Sequence, residues 1–502
     1  MSVLGGSQMS SLSLPQVDRS RVDEAGAARK LPLVLDVDDA LLRTDMLHET
    51  AVAYVKANPL RVFNLVLWLL KGKATLKRRL SESVPLDVDN LPVNEDLVAL
   101  ARQEHAEGRQ VGLATAADEL LTLRLARRFD FVDFVVASDG VENMKGARKA
   151  KALTERFPDG FAYAGDSRSD LQVWSRAETI VLAGAAPATA RKAKALGKPV
   201  EAEFIRPSLG LKGWARALRV HQWAKNALVF VPLILSGMAD EPLAVAQALV
   251  AFFAMSLMAS GTYLLNDLFD LADDRVHWTK RNRPLASRAL RIKHGVPAAA
   301  GLIGASLLAA LTLGLPSLAL LVVYMATTLA YSFYLKRQPI VDAFTLAALF
   351  TLRLGIGITA VGAIPSPWLL VFSMFLFTSL SFAKRQTEIQ KSVANGRTSV
   401  SGRGYLGTDA GLVVAMGVAT AMAAITIMVL YIMNDVYSAD FYGQPLFLWV
   451  FPAALFMWVS RIWLLCHRQE LNDDPVAFAI RDRISIGLGG LMGVAFLSGW
   501  LL

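Results

Sequence analysis

The sequence predicts two bodies in one chain: an N-terminal α/β domain with a small helical cap, and behind it an all-α bundle of nine membrane-spanning helices. Three observations predict this. Between Leu31 and Phe204, short apolar runs such as LPLVLDV, FVDFVVAS and FAYAGD alternate with charged helical stretches, the pattern of a parallel sheet covered by helices. After Gly210 the apolar runs lengthen, with candidate spans centred near residues 231, 254, 304, 325, 352, 375, 422, 454 and 493. The chain of 502 residues is 54% hydrophobic with a mean hydropathy of +0.40, against an apolar share of roughly 45–50% in ordinary globular proteins.

The domain limits follow from composition. Residues 1–29 are rich in Ser, Gly and Ala and lack a signal-peptide core, so they read as a disordered tail starting in the cytoplasm. Residues 30–205 form the α/β domain, with its cap at about 46–95, and residues 206–502 the membrane domain. Inside the cap, Leu60–Leu70 reads LRVFNLVLWLL, too short for a bilayer that takes about 20 apolar residues. It fits either a core helix of the cap or an interfacial helix, with Lys71, Lys73, Lys77, Arg78 and Arg79 toward anionic headgroups.

A net charge of +9 and a pI near 9.5 raise the question of nucleic acid. The membrane segments answer it. Counting from a cytoplasmic start, the outer loops carry no Lys or Arg, whereas the inner loops carry seventeen, seven of them between Asn266 and Lys293. That asymmetry predicts a multi-pass inner-membrane protein with its α/β domain cytoplasmic and its C-terminus outside, and no nucleic-acid partner. The single Cys466 excludes an intrachain disulfide or a Cys-rich zinc site.

In the α/β domain, Leu33-Val34-Leu35 reads as a buried strand with Asp36-Val37-Asp38 at its C-terminal end, the edge where open α/β sheets bind ligands. Thr115 then ends the strand VGLAT, Lys145 precedes a helix in NMKGARKA, and GDSRSD supplies Asp166 and Asp170 after the strand FAYAG. This ordered set resembles the haloacid dehalogenase superfamily of aspartate-nucleophile phosphatases. The resemblance implies Asp36 as nucleophile, and Asp38 as general acid/base and backbone ligand. It further implies Thr115 and Lys145 on the phosphoryl oxygens, and Asp36, Asp38, Asp166 and Asp170 around Mg²⁺. A carboxylate attacking a phosphate needs such cations to cancel repulsion. The family's Gly-Thr after the second aspartate is here Asp39-Ala40, where Gly would permit a tight turn; a degenerate domain that only docks is the other reading.

In the membrane domain, the inner end of the second span reads Asn266-Asp267-Leu-Phe-Asp270-Leu-Ala-Asp273-Asp274-Arg275. On a helix, Asp267, Asp270 and Asp274 share one face. Three carboxylates so placed call for a cation, and oxygen ligands favour Mg²⁺ bridging substrate phosphates. Lys280, Arg281, Arg283 and Arg288 follow as an anion-binding loop. This resembles the UbiA superfamily of intramembrane prenyltransferases, nine-helix bundles with an NDxxDxxxD motif, which implies Asn266, Asp267, Asp270 and Asp274 as the Mg²⁺-diphosphate site. The second acidic pair common in aromatic prenyltransferases is reduced to Asp342, with Leu346 in the partner position. RVHQWAKN (Arg219–Asn226), TKRNRPLASR (Thr279–Arg288), SFAKRQTE (Ser381–Glu388) and DPVAFAIRDR (Asp474–Arg483) are similar to the polyprenyl-phosphate phosphoribosyltransferase branch.

That branch implies attack of a polyprenyl phosphate oxygen on C1 of phosphoribosyl diphosphate, giving a lipid-phosphoribose that feeds arabinose donors for cell-surface glycans. Two anionic substrates need many basic side chains, and Gln222, Lys225, Lys280, Arg281, Arg283, Arg288, Tyr334, Lys336, Asp342, Lys384 and Arg385 are the candidates. Arg353, inside the fifth span, reads as a clamp on substrate phosphate or as a bundle ion pair. The expected whole is a bifunctional enzyme whose phosphatase domain dephosphorylates the lipid product; homo-oligomer formation stays open. One rival is an aromatic prenyltransferase using polyprenyl diphosphate, which the lone Asp342 opposes. The other is a transporter, whose inverted repeats are not visible in the sequence.

Overall fold

A computed structural model describes residues 30–502 apart from 207–208, 278, 401, 440, 472–474 and 480. The expected tail and Asp474 lie outside the described residues. The chain forms two compact units. The first comprises the described residues up to Arg43 with Trp68–Arg206; the second comprises Thr44–Leu67 with Pro207–Leu502.

In chain order the first 206 residues give β1 (Leu33–Leu35), α1 (Met46–Ala57), α2 (Val62–Leu70), α3 (Lys73–Ser83), α4 (Glu95–Ala106), β2 (Val111–Asp118) and α5 (Glu119–Ala126). There follow β3 (Phe134–Ser138), α6 (Ala147–Arg156), β4 (Ala162–Gly165), α7 (Leu171–Trp174), β5 (Thr179–Ala183), α8 (Pro187–Lys194) and β6 (Val200–Phe204). The six strands make one parallel sheet in the order β3-β2-β1-β4-β5-β6. Strand order reverses between β1 and β4, and Leu35 lies opposite Ala164, so Asp36 and Asp166 leave the sheet side by side at its switch point. Below them Val34, Leu153, Tyr163, Trp174 and Leu182 pack as a core, and the Trp174 indole donates to the Tyr163 carbonyl at 3.0 Å.

Two sequence expectations change here. Strand β2 does not end at Thr115 but runs to Asp118, with a register shift against β3 between Ala114 and Asp118. Such a shift re-aims side chains at a strand end. The cap expected at 46–95 is also not one body, because Thr44–Leu67, with α1 and the start of α2, belongs to the second unit. There Val52 packs on a cluster with Leu264, Leu268 and Leu271, and Lys56 pairs with Asp273 at 3.0 Å.

The second unit continues with α9 (Leu211–Ala217), α10 (Val231–Leu235), α11 (Pro242–Phe269), α12 (Leu271–Val276), α13 (Ile292–Thr312) and α14 (Leu315–Phe333). After these come α15 (Val341–Val361), α16 (Pro367–Ala394), α17 (Ala410–Tyr431), α18 (Val450–His467), α19 (Pro475–Ala479) and α20 (Arg483–Leu501). Among the described residues eight helices, not nine, are long and apolar enough to cross a membrane. The first expected span is broken. Arg219 adopts a left-handed conformation at φ 51°, and Val220–Phe230 winds as a 3₁₀ stretch before α10. Its polar residues explain this: Trp223 and Asn226 donate to Ser260 and Ser256 of α11, each at 3.0 Å, so the segment is tied to α11. Gly357 on α15 lets the Val229 carbonyl approach a backbone face that a Cβ would block.

Candidate functional site

In the α/β unit, β1 delivers Asp36 to the sheet edge with its N–H bonded to the Ala164 carbonyl at 2.9 Å. Its carboxylate accepts from the Val37 N–H at 3.0 Å and from Lys149 Nζ at 2.8 Å. Lys149, buried on α6, also donates to the Tyr163 hydroxyl at 2.8 Å, and that hydroxyl donates to Asp170 at 3.1 Å. The other Asp170 oxygen accepts from the Ser167 N–H and hydroxyl at 2.8 and 2.7 Å. Oxygens of Asp36, Asp166 and Asp170, all buried, lie within 4.8 Å of one another.

Three buried carboxylates against one lysine leave excess negative charge, which burial makes costly without a further cation. The electrostatics register it: burial first, and then Asp170's charge, push the Asp36 carboxyl up to about 6 despite Lys149. Burial depresses the Lys149 ammonium, but Asp36 and Asp170 more than offset it. The donor set, hard oxygens around a concentrated negative charge, fits Mg²⁺.

Asp38 is half-buried on the turn after Asp36, and Thr115 is fully buried, its hydroxyl accepting from the Ala117 N–H at 3.0 Å. Lys145 is exposed before α6 begins; the lysine on Asp36 is Lys149, one helical turn later. Asp39, which stands where Gly was expected, does take a left-handed conformation at φ 63°, ψ −6°. Arg206 holds it, reaching Asp39 at 3.2 Å and the Arg43 carbonyl at 3.1 Å. Two basic residues not anticipated as site groups come from α3: Lys77 bonds the Ala116 carbonyl and Asn143, and Arg78 pairs with Asp118 at 3.3 Å.

In the membrane unit, the acidic motif straddles a break, because Asp270 (ψ 8°) separates α11 from α12. The N–H of Asp274 still reaches the Asp270 carbonyl at 2.8 Å, so the acids stay near one face. They do not converge on one point. Arg283 bridges Asp267 at 3.0 Å and Asp274 at 2.6 Å, and Arg219 adds a second partner to Asp267 at 2.5 Å. Asp270 faces Lys336 at 3.5 Å and accepts from Asn266 at 3.2 Å. Burial pushes the Asp274 carboxyl up, with Arg283 opposing. Carboxylates and basic side chains are thus interleaved along this face as ion pairs. The left-handed turn that aims Arg219 has no sequence signature.

The remaining candidates divide. Lys280, Arg281 and Tyr334 are exposed, while Gln222, Lys225, Arg288 and Lys384 are half-buried. Asp342 and Arg385 are not presented to a substrate: they pair at 2.6 Å, both almost fully buried, Tyr405 donates to Asp342 at 2.7 Å, and Arg385 also pairs with Glu388. Arg353 forms no bundle ion pair among the described residues. It donates to Asn226 at 2.9 Å, the Leu349 carbonyl at 2.5 Å and the Tyr324 hydroxyl at 3.1 Å, all uncharged. Lys225 and Arg353 share the Phe350 ring, at 6.0 and 5.0 Å from its centroid.

Residues 227–485 match the model of the UbiA prenyltransferase family. The protein y4nM of Sinorhizobium fredii is 38% identical over 93% of this chain and 91% of its own. Nodulation protein NoeC of Azorhizobium caulinodans is 34% identical over 57% of this chain and 92% of its own. A decaprenyl-phosphate phosphoribosyltransferase of Corynebacterium glutamicum is 35% identical, over 35% of this chain and 54% of its own length. Among solved structures, a UbiA homolog from Archaeoglobus fulgidus bound to DMAPP and Mg²⁺ covers 58% of this chain and 98% of its own, at 14% identity and a TM-score of 0.45.

Proposed function

The chain belongs to the UbiA prenyltransferase family, and on that premise we propose that its membrane unit transfers 5-phosphoribose from phosphoribosyl diphosphate to a polyprenyl phosphate. The observation that carries this is the pairing of the acidic motif with Arg219, Arg283 and Lys336, beside a separate pair of cations at Lys225 and Arg353. One cluster suits a diphosphate with its metal, and the other suits a second anionic group. Asp267, Asp270 and Asp274 would hold Mg²⁺, which when bound neutralises a departing diphosphate. Arg283 and Arg219 orient the diphosphate oxygens, while Lys225 and Arg353 take the lipid phosphate. An apolar cavity of about 410 Å³, lined by Leu235, Phe372, Met428, Phe451, Trp458 and Leu488, suits part of the isoprenoid tail. Similarity over part of the chain to proteins named decaprenyl-phosphate phosphoribosyltransferases supports a polyprenyl phosphate acceptor and a phosphoribosyl group transferred to it.

The aromatic prenyltransferase reading needs a second acidic pair at the site. Asp342, locked to Arg385 and Tyr405, does not supply it. Supplying membranes with polyprenyl phosphate and phosphoribosyl diphosphate, or with polyprenyl diphosphate and an aromatic acid, decides between the two. Turnover with the first pair alone supports the proposal.

For the α/β unit the proposal is hydrolysis of the 5-phosphate on that product, as a haloacid dehalogenase-like phosphatase. An Asp36 oxygen attacks phosphorus, Asp38 gives a proton to the departing ribose oxygen, and Lys149 holds the phosphoryl oxygens. Asp38 then takes a proton from the water that releases phosphate from Asp36. Asp36, Asp166 and Asp170 would hold the Mg²⁺. In this reading the multi-pass unit lies in the inner membrane with both sites on its cytoplasmic side, as the charge asymmetry of the loops supports.

A further inference from the structure

We propose that Pro59–Leu70 lies in the surface of the bilayer as an interfacial helix, a second membrane attachment beside the spanning helices. The helix is apolar and almost bare. Leu60 is 71% exposed, Phe63 66% and Leu67 57%, Val62 and Val66 are exposed as well, and no residue of α2 is buried. Its twelve residues rise about 18 Å, well short of a hydrocarbon core of about 30 Å, so it cannot cross. A contiguous apolar surface of this kind marks a site that something apolar covers.

The second unit itself identifies the occupant. Residues 44–67 fold with the spanning helices, and α1 is fixed at the end of α11 that carries the acidic motif, by Glu49 on Arg275 at 2.6 Å and Lys56 on Asp273 at 3.0 Å. Asn58 caps the turn into the next helix, accepting from the Leu60 N–H at 3.0 Å. Asn64 then bonds the Tyr54 hydroxyl at 3.1 Å, and Arg61 stacks over the Tyr54 ring at 4.9 Å. The bare helix is therefore fastened to the rim of a membrane-spanning bundle, where the neighbouring apolar phase is lipid. Arg61 in its first turn and the exposed Lys71 and Lys73 after it match anionic headgroups. The inference does not depend on the substrates assigned above.

Full-length Phe63→Cys, spin-labelled in nanodiscs of phosphatidylcholine and phosphatidylglycerol, tests it. Cys466 is buried, so wild-type protein is expected to take up no label. Glu155→Cys, at an exposed position of α6, is the aqueous reference. Collisions with oxygen are expected to exceed those with a water-soluble nickel chelate severalfold at position 63, and the ratio to reverse at 155. Dominance of the nickel chelate at 63 would place the helix in water. Shielding from both reagents would place it under protein, a second copy included. Either result overturns the proposal, and Val66→Cys repeats the measurement should the first variant misfold.

Discussion

Arg275 donates to Glu49 at 2.6 Å, joining positions 226 apart in the chain. Glu49 also accepts from the Thr44 hydroxyl at 2.5 Å, and the side chains of Glu49 and Arg275 are only 8% and 15% exposed. Arg275 follows Asp274 on α12, so a helix inserted between strands of the α/β unit's sequence braces the acidic motif of the membrane unit.

Breaking that brace is expected to act on transfer. Glu49→Ala leaves a nearly buried guanidinium without its carboxylate, at a cost of about 2–4 kcal/mol. The KM for phosphoribosyl diphosphate should rise more than kcat falls, with phosphatase turnover of a soluble monoester unchanged. Steady-state kinetics of both activities in detergent checks this, and equal loss of both would mean general unfolding.

Arg283 and Arg281 should separate cleanly. Arg283→Ala strips the bridge between Asp267 and Asp274 and is expected to lower transfer by about 100-fold or more. Arg281 is exposed, and its alanine variant should lose about threefold, mostly in donor KM. Transfer assays at several donor concentrations measure the difference.

In the α/β unit, Lys149→Ala should abolish phosphate release while Lys145→Ala leaves it within about twofold, since only Lys149 contacts Asp36. Release of inorganic phosphate from a sugar phosphate reads out both. The reverse ranking would restore the sequence-based choice.

Asp36 gives a prediction in pH and metal. Its folded carboxyl titrates at about 6 against an ordinary 3.8, so ionising it opposes folding. Stability from this group falls as pH rises from about 4 to about 6, and the cost is complete above that. In chelator at pH 7.5, Asp36→Asn should therefore be more stable than wild type, by up to about 3 kcal/mol. Mg²⁺ should raise the wild-type melting temperature more than the variant's. Thermal unfolding with and without Mg²⁺ checks both signs.

Asp39 tests the turn. Ala there keeps the left-handed strain and loses the Arg206 contact, whereas Gly loses only the contact, so Asp39→Ala should be less stable than Asp39→Gly by about 1 kcal/mol. Denaturant titration of the two variants gives the difference directly.

What the sequence disclosed and what it withheld follow from distance along the chain. The carboxylates were legible because each cluster follows a strand or helix end within a few residues: Asp36 after β1, Asp166 and Asp170 after β4, Asp267 to Asp274 around the end of α11. Lys149 was missed because Lys145 and Lys149 are one helical turn apart, and only the packing of α6 decides which faces Asp36. The first span failed because Trp223 and Asn226 bond to serines of α11 thirty or more residues away, and the backbone follows them into a 3₁₀ stretch. The division of the expected cap rests on Glu49 with Arg275, a pairing without local trace. Asp342 is a substrate candidate by sequence, and its pairing with Arg385 on the next span has no local trace either.

In the proposed reading, one chain makes a lipid-phosphoribose and then removes its 5-phosphate. Mass spectrometry of the lipid products formed by purified protein from polyprenyl phosphate, phosphoribosyl diphosphate and Mg²⁺ tests it most directly. Wild type should yield polyprenyl-phosphoryl ribose, Asp36→Asn should stop one phosphate heavier, and Asp267→Ala should yield neither. A wild type that forms no ribose-bearing lipid, or a product mass unchanged by Asp36→Asn, would contradict the account.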